Sequence, residues 1–186
     1  MTVATLIIDL QEDFFVHDRL SRRRADLVDR VNELVAITRG ADAPVIWVKQ
    51  EFSADLSDAG LEIRRKGIRV VVEGTPGARL LAGLDSRPSD PVVVKKRYSA
   101  FFATRLDDLL ASRRSTQLIV AGINTHACVR ATVVDAYQRD YDVILARDCI
   151  ESHDGEHHDV TWRYMEGKLG RGMDNGQIRS LLSSAA

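Results

Sequence analysis

Three chemically capable residues stand where runs of apolar sequence end. Asp9 follows Val3-Ala4-Thr5-Leu6-Ile7-Ile8, and Lys95 follows Pro91-Val92-Val93-Val94. Cys128 lies beyond Leu118-Ile119-Val120-Ala121 and a Gly122-Ile123-Asn124-Thr125 turn. A carboxylate, an ammonium and a thiol can run acyl transfer without a histidine. Asp9 can accept the thiol proton and later return it to a leaving nitrogen. Lys95 supplies a positive charge that keeps Asp9 ionised and favours the thiolate. Cys128 can attack a carbonyl and form a thioester-type intermediate that water resolves. Two of them also have a plainer reading: free cysteine is a common core filler, and an aspartate after a strand can cap the next turn.

Position favours the chemical reading for Cys128. Val129, Val133, Val134 and Tyr137 fall at helical spacing, which places Cys128 at or near the first residue of a helix. First-turn amides have no intrahelical partner and carry partial positive charge, so the thiol pKa is expected to fall. The same amides can hold an oxyanion beside the sulfur.

The elements that must position these residues alternate along the chain. Strands are expected at 3–10, 45–49, 91–95, 118–121 and 143–146. Leu27, Val31, Leu34, Val35 and Thr38 share one helical face ending near Gly40. Thr75 and Pro76 read as a helix start, and Thr104 with Asp107 as a capping box for a helix through Leu110. Helices are also expected at about 155–168 and after Asp174, capped with Gln177. Residues 53–74 are mixed and charged, and suggest a short helix followed by a lid or edge segment. Arg22-Arg23-Arg24 reads as solvated surface. The alternation implies an α/β fold with a doubly wound, mostly parallel sheet, in which ligands gather at the carboxyl ends of the strands.

Composition narrows the function classes. The chain has 186 residues, 45% apolar and 28% charged, which suits one domain with a proper core. A net charge of -1 leaves no electrostatic footprint for nucleic acid or an anionic membrane. No stretch resembles a signal peptide or a transmembrane run, so a cytoplasmic location is expected. The two cysteines, Cys128 and Cys149, lack metal or redox spacing and are expected to be free thiols, Cys149 an inert buried one.

Four linked motifs resemble the isochorismatase-like cysteine hydrolases. They are Leu6-Ile7-Ile8-Asp9-Leu10-Gln11 with Phe14, Gly74-Thr75-Pro76-Gly77, Lys95-Lys96-Arg97-Tyr98-Ser99-Ala100-Phe101 with Thr104 and Leu106, and Gly122 through Thr132 around Cys128. The resemblance covers nearly the whole chain. It implies one three-layer α/β/α domain over 1–186, a Rossmann-like fold, and a triad of Asp9, Lys95 and Cys128. The family places its lysine four residues before the serine of Ser-Ala-Phe, which selects Lys95 over Lys96. It also implies a cis peptide at Ile123-Asn124 and an oxyanion hole from the backbone N–H groups of Asn124 and Cys128.

The resemblance further implies a small-molecule substrate, no cofactor or metal, and a homodimer or homotetramer. Nicotinamidases of this family bind a metal through an aspartate and histidines after the second strand. Here no histidine lies between His17 and His126, so that activity is disfavoured. Cys128 tips the expectation toward an amide or carbamoyl C–N bond, with isochorismatase-type vinyl-ether cleavage or a non-catalytic binding protein as alternatives. Pocket residues are expected among Gln11, Phe14, Trp47, Lys49, Glu51, Tyr98, Phe101, Thr125 and His126, suiting a substrate with an apolar body and a polar end. His153, His157 and His158, with Asp154 and Glu156, suit either a zinc site or simply a polar helix start.

Overall fold

Strand β1, Val3–Ile8, is buried at all six positions, which a strand achieves only with sheet on both sides and layers on both faces. The computed structural model, which describes residues 2–184, shows this arrangement. β1 pairs with β2 (Val45–Gln50) on one side and β4 (Gln117–Gly122) on the other. Adding β3 (Val92–Lys95), β5 (Asp142–Ile150) and β6 (Arg171–Met173) gives six parallel strands in the order β3-β2-β1-β4-β5-β6. The order reverses between β1 and β4, so their carboxyl ends open a crevice.

Strand alternation sorts the apolar residues into two layers. Ile7, Trp47, Ile119 and Ile144 pack under α1 (Asp18–Gly40) and α6 (Asn175–Ser184). Leu6, Ile46, Val93, Val120 and Leu145 pack on the opposite face with α3 (Leu106–Ser112), α4 (Arg130–Tyr137) and Met165 of α5 (Gly155–Met165). Residues 53–74 hold the short α2 (Leu61–Lys66), and their Leu56, Ala59, Val71 and Val72 form a satellite core with Phe52. No helix among the described residues is long and apolar enough to cross a membrane.

Several expected boundaries move. β1 stops at Ile8, and Asp9 turns the chain with a φ of 55°. β5 is longer than its apolar run, and β6 has no β-rich sequence to announce it: Arg171-Gly172-Met173 forms a strand only because β5 offers an edge. Thr75 opens only a 3-10 turn, Pro76–Ala78, and its hydroxyl donates back to the Val72 carbonyl. Thr104 does accept from the Leu106 N–H, but Asp107 pairs with Arg139 instead of closing the box. The Asp174–Gln177 box forms in both directions. Of the three arginines expected to be solvated, Arg24 grips Glu12 with both terminal nitrogens and Arg23 reaches Glu151.

One glycine sets the distance between the central strands at the crevice. Gly122 has a φ of +116°, and a Cβ there would lie 2.0 Å from the Ile8 carbonyl oxygen. Gly122→Ala is therefore expected to destabilise by about 3 kcal/mol or more in denaturant unfolding, because backbone has to shift. Gly40→Ala, with nothing within 4 Å, should stay within about 0.5 kcal/mol of wild type. Equal stability of the two variants would disprove this constraint.

Candidate active site

Lys95 is the last residue of β3 and shares the inward face with Val93. Lys96 points the other way and pairs with Asp58 at 2.7 Å. Alternation along one strand thus decides between the two lysines. The Lys95 ammonium is fully buried and has three partners: Asp9 Oδ2 at 2.8 Å, Cys128 Sγ at 3.3 Å and the Arg97 carbonyl at 3.1 Å. Asp9 and Cys128 are 1% and 5% exposed. Asp9 Oδ1 accepts no hydrogen bond among the described residues. The three residues expected to act together are thus within contact of one ammonium.

Burial and charge set the protonation of this group. Burial acts against the Lys95 ammonium, but the Asp9 carboxylate and the Cys128 sulfur outweigh it and lift the lysine pKa. Burial pushes the Cys128 thiol far up, Asp9 adds to the rise, and Lys95 only partly offsets it. The expected fall of the thiol pKa is therefore reversed: burial and Asp9 favour the thiol over the thiolate.

Cys128 lies in a single π-helical turn, Thr125–Val129, that runs into α4. The helix proper begins two residues later than the sequence suggests. The Ile123-Asn124 peptide is cis. The Asn124 carbonyl accepts from both Ala127 and Val129, and no acceptor among the described residues takes the Asn124 N–H.

The loop after β5 clamps this elbow, a role the sequence reading missed. The Glu151 carbonyl accepts from the Thr125 N–H and hydroxyl, both at 3.1 Å. Ser152 Oγ meets His126 Nδ1 at 2.8 Å, and the His153 N–H donates to Asn124 Oδ1 at 3.0 Å. The buried Glu151 carboxylate is held in turn by Arg19 at 2.9 Å and Arg23 at 3.2 Å from α1. No local signal marked Glu151, because the apolar run Val143–Ala146 ends at Arg147 and the strand goes on through Asp148 before reaching it.

The expected pocket residues separate into two groups. Tyr98 is exposed and lines two cavities, one of them shared with His126. Phe14 and Lys49 are partly buried, and Lys49 pairs with Glu51 at 3.0 Å. Four others belong to the scaffold. Trp47 is wholly buried under α1 with its indole N–H on Asp90. Phe101 packs in the opposite layer against Tyr141. The Gln11 amide bonds backbone groups of Gln50 and Ala78. Thr125 is fully buried, its hydroxyl bonded to Glu151 and His158.

All five histidines gather beside the elbow. His153 stacks on His17 at 4.8 Å, and His126 lies 5.1 Å from His153 and 5.3 Å from His157 between ring centres. His158 bonds Thr125 and His157 pairs with Asp154. No three His, Cys, Asp or Glu side chains among the described residues converge as a metal site.

Burial first, then neighbouring histidines, hold the pKa of His126 and His153 below the ordinary value, with Asp154 opposing. The unfolded chain therefore binds protons first as pH falls through about 6.5. Stability from these groups is complete above that pH and is lost below it. Melting temperature should drop between pH 7 and 5.5, and His153→Gln should flatten the drop. An unchanged slope in the variant would refute the cluster as its source.

The isochorismatase-domain family profile matches residues 3–176. A probable inactive nicotinamidase from Arabidopsis thaliana is 35% identical over 145 residues, 74% of each chain. A ureidoacrylate amidohydrolase from Methylorubrum extorquens is 31% identical over 66% of this chain, which spans 56% of that relative's length. The crystal structure of an isochorismatase family protein from Desulfovibrio vulgaris superposes with a TM-score of 0.87 at 31% identity, covering 98% of both chains. With a profile match over nearly its whole length and this likeness in sequence and fold, the chain belongs to the isochorismatase family of hydrolases.

Proposed function

We propose that the protein hydrolyses the C–N bond of a small amide or carbamoyl compound through a covalent cysteine intermediate. The observation that carries this reading is the buried Lys95 ammonium in simultaneous contact with Asp9 and Cys128. That contact supports a nucleophile and a proton carrier that act as one unit. The similarity to a ureidoacrylate amidohydrolase supports a nitrogen leaving group.

In the proposed cycle the substrate carbonyl enters beside Sγ. Asp9 takes the thiol proton as sulfur attacks the carbonyl carbon. The N–H groups of Asn124 and Cys128 receive the developing oxyanion. Asp9 then protonates the leaving nitrogen, the C–N bond breaks, and a thioester remains. A water molecule gives a proton to Asp9 and attacks the thioester. The thiolate leaves, recovers that proton, and the acid product departs. Lys95 remains charged throughout and holds Asp9 and sulfur at fixed separation. The Arabidopsis relative carries the description of a probable inactive nicotinamidase. Here all three reacting groups are present and in contact, which favours an active enzyme.

The test is ammonia release from a panel of acyclic amides, carbamoyl compounds and ureas, with nicotinamide and isochorismate in parallel. Cys128→Ala should abolish release, and Cys128→Ser should lower kcat by about 10³-fold or more. Lys96→Ala should stay within about threefold of wild type, since it removes only a half-exposed surface pair. Full activity in Cys128→Ala would overturn the nucleophile assignment. Turnover of isochorismate alone would overturn the C–N reading.

A further inference from the structure

An oxyanion hole made of backbone N–H groups is only as well aimed as the backbone that carries them. Glu151 holds that backbone from both sides. Its N–H donates to the Gly122 carbonyl at 3.2 Å, and its carbonyl accepts from the Thr125 N–H at 3.1 Å. Gly122 and Thr125 flank Ile123-Asn124. One residue at the end of β5 therefore braces the segment that presents the Asn124 N–H. The two residues after it add to the brace, Ser152 through His126 and His153 through the Asn124 side chain.

Any residue type could supply a carbonyl and an N–H. What sets Glu151 apart is its buried side chain. The carboxylate accepts from the Ser152 N–H at 3.0 Å, from Arg19 Nη2 at 2.9 Å and from Arg23 Nε at 3.2 Å. Arg19 also donates from Nε to the Ser152 carbonyl at 3.0 Å. It thus grips the Glu151 side chain and the backbone one residue on. Charge-assisted bonds of this kind are directional and offset the cost of burying a carboxylate. All of them point away from Asp9, Lys95 and Cys128, so this acid has no proton to exchange with the triad. It fixes the loop, and the loop fixes the elbow.

We propose that Glu151 is a positioning residue for the oxyanion hole and that Arg19 acts through it. Their ion pair ties the end of β5 to α1 and keeps the Asn124 N–H aimed at the carbonyl oxygen as charge builds there. The proposal rests on the hydrolase reading above. A shift of about 1 Å in a reacting geometry can cost about 10²-fold in rate, and loss of one oxyanion donor costs about 10²- to 10³-fold.

The test separates the hole from the nucleophile. In alkylation by iodoacetamide the sulfur of Cys128 bonds to the methylene carbon, iodide leaves and the thiol proton passes to buffer, so no oxyanion is built. In addition to acetaldehyde the sulfur bonds to the carbonyl carbon and the thiol proton ends on its oxygen, which lies in the hole. Isotope-labelled acetaldehyde lets NMR read that adduct, with Cys128→Ala as the blank. In Glu151→Gln, kcat on the fastest amide of the panel above should fall about 10- to 100-fold, with KM within about threefold. Aldehyde affinity should fall about 10-fold or more, while the alkylation rate stays within about twofold. Arg19→Met should act in the same direction, with partial recovery in Arg19→Lys. The double variant Arg19→Met/Glu151→Gln should be no worse than Glu151→Gln, as for two residues in one brace. Equal falls in alkylation and hydrolysis would mark a general loss of structure and overturn the proposal. A Glu151-dependent aldehyde adduct without turnover of any amide would keep the positioning role and discard the amidase reading. Turnover indifferent to Glu151→Gln would do the reverse, and a wild type with neither turnover nor adduct would overturn both.

Discussion

The Asp9–Lys95 pair is the constraint that the rest of the site obeys. Two charges have been taken out of water at the carboxyl end of the sheet, 2.8 Å apart and at most 1% exposed. Removing one partner of such a pair costs about 3–5 kcal/mol, because the other is left buried and uncompensated. The pair therefore dictates local structure on three strands. β3 must end with its lysine on the inward face. β1 must release Asp9 in a left-handed turn, a conformation aspartate tolerates better than most residues. β4 must pass close enough to β1 to bring Cys128 alongside, which requires the bare backbone of Gly122.

These demands explain which parts were legible in sequence. The buried strands announced themselves as β-branched runs, and Asp9 and Lys95 at the ends of two of them marked the sheet edge where chemistry collects. The family motif selected Lys95 over Lys96, and strand alternation puts the two side chains on opposite faces once β3 is placed. What sequence concealed was whatever depended on distant partners. β6 exists because β5 presents an unpaired edge, and its three residues carry no β-forming signal of their own. Trp47 and Phe101 sit close in sequence to site residues, yet strand and loop direction turn them into the two cores. Nothing short of the tertiary pairing could separate them from Tyr98, which does face the cavities.

The elbow clamp is the extreme case. Arg19 and Glu151 are 132 residues apart, and their ion pair links α1 to the loop that holds Thr125, His126 and Asn124. The clamp reaches the turn through a carbonyl, a hydroxyl and a backbone N–H, so the position of the Cys128 turn is shared among elements that individually look like surface. An arginine triplet read as solvated surface thus does structural work through two of its members, Arg23 and Arg24, each holding an acid.

The resting thiol reconciles burial with reactivity. A helix start beside a lysine suggests a thiolate, but burial dominates and keeps the proton on sulfur. Loss of that proton to solvent would leave Asp9, Lys95 and Cys128 with a net buried charge of minus one, the state that low polarity penalises. Transfer of the same proton from Sγ to Asp9 leaves the trio neutral overall. The negative charge moves between two atoms that already face one ammonium, at 2.8 and 3.3 Å from its nitrogen. The penalty that raises the thiol pKa against water therefore largely cancels for transfer within the site. On the proposed mechanism, a buried, protonated cysteine is thus the resting form of the nucleophile, released by internal proton transfer as a carbonyl arrives.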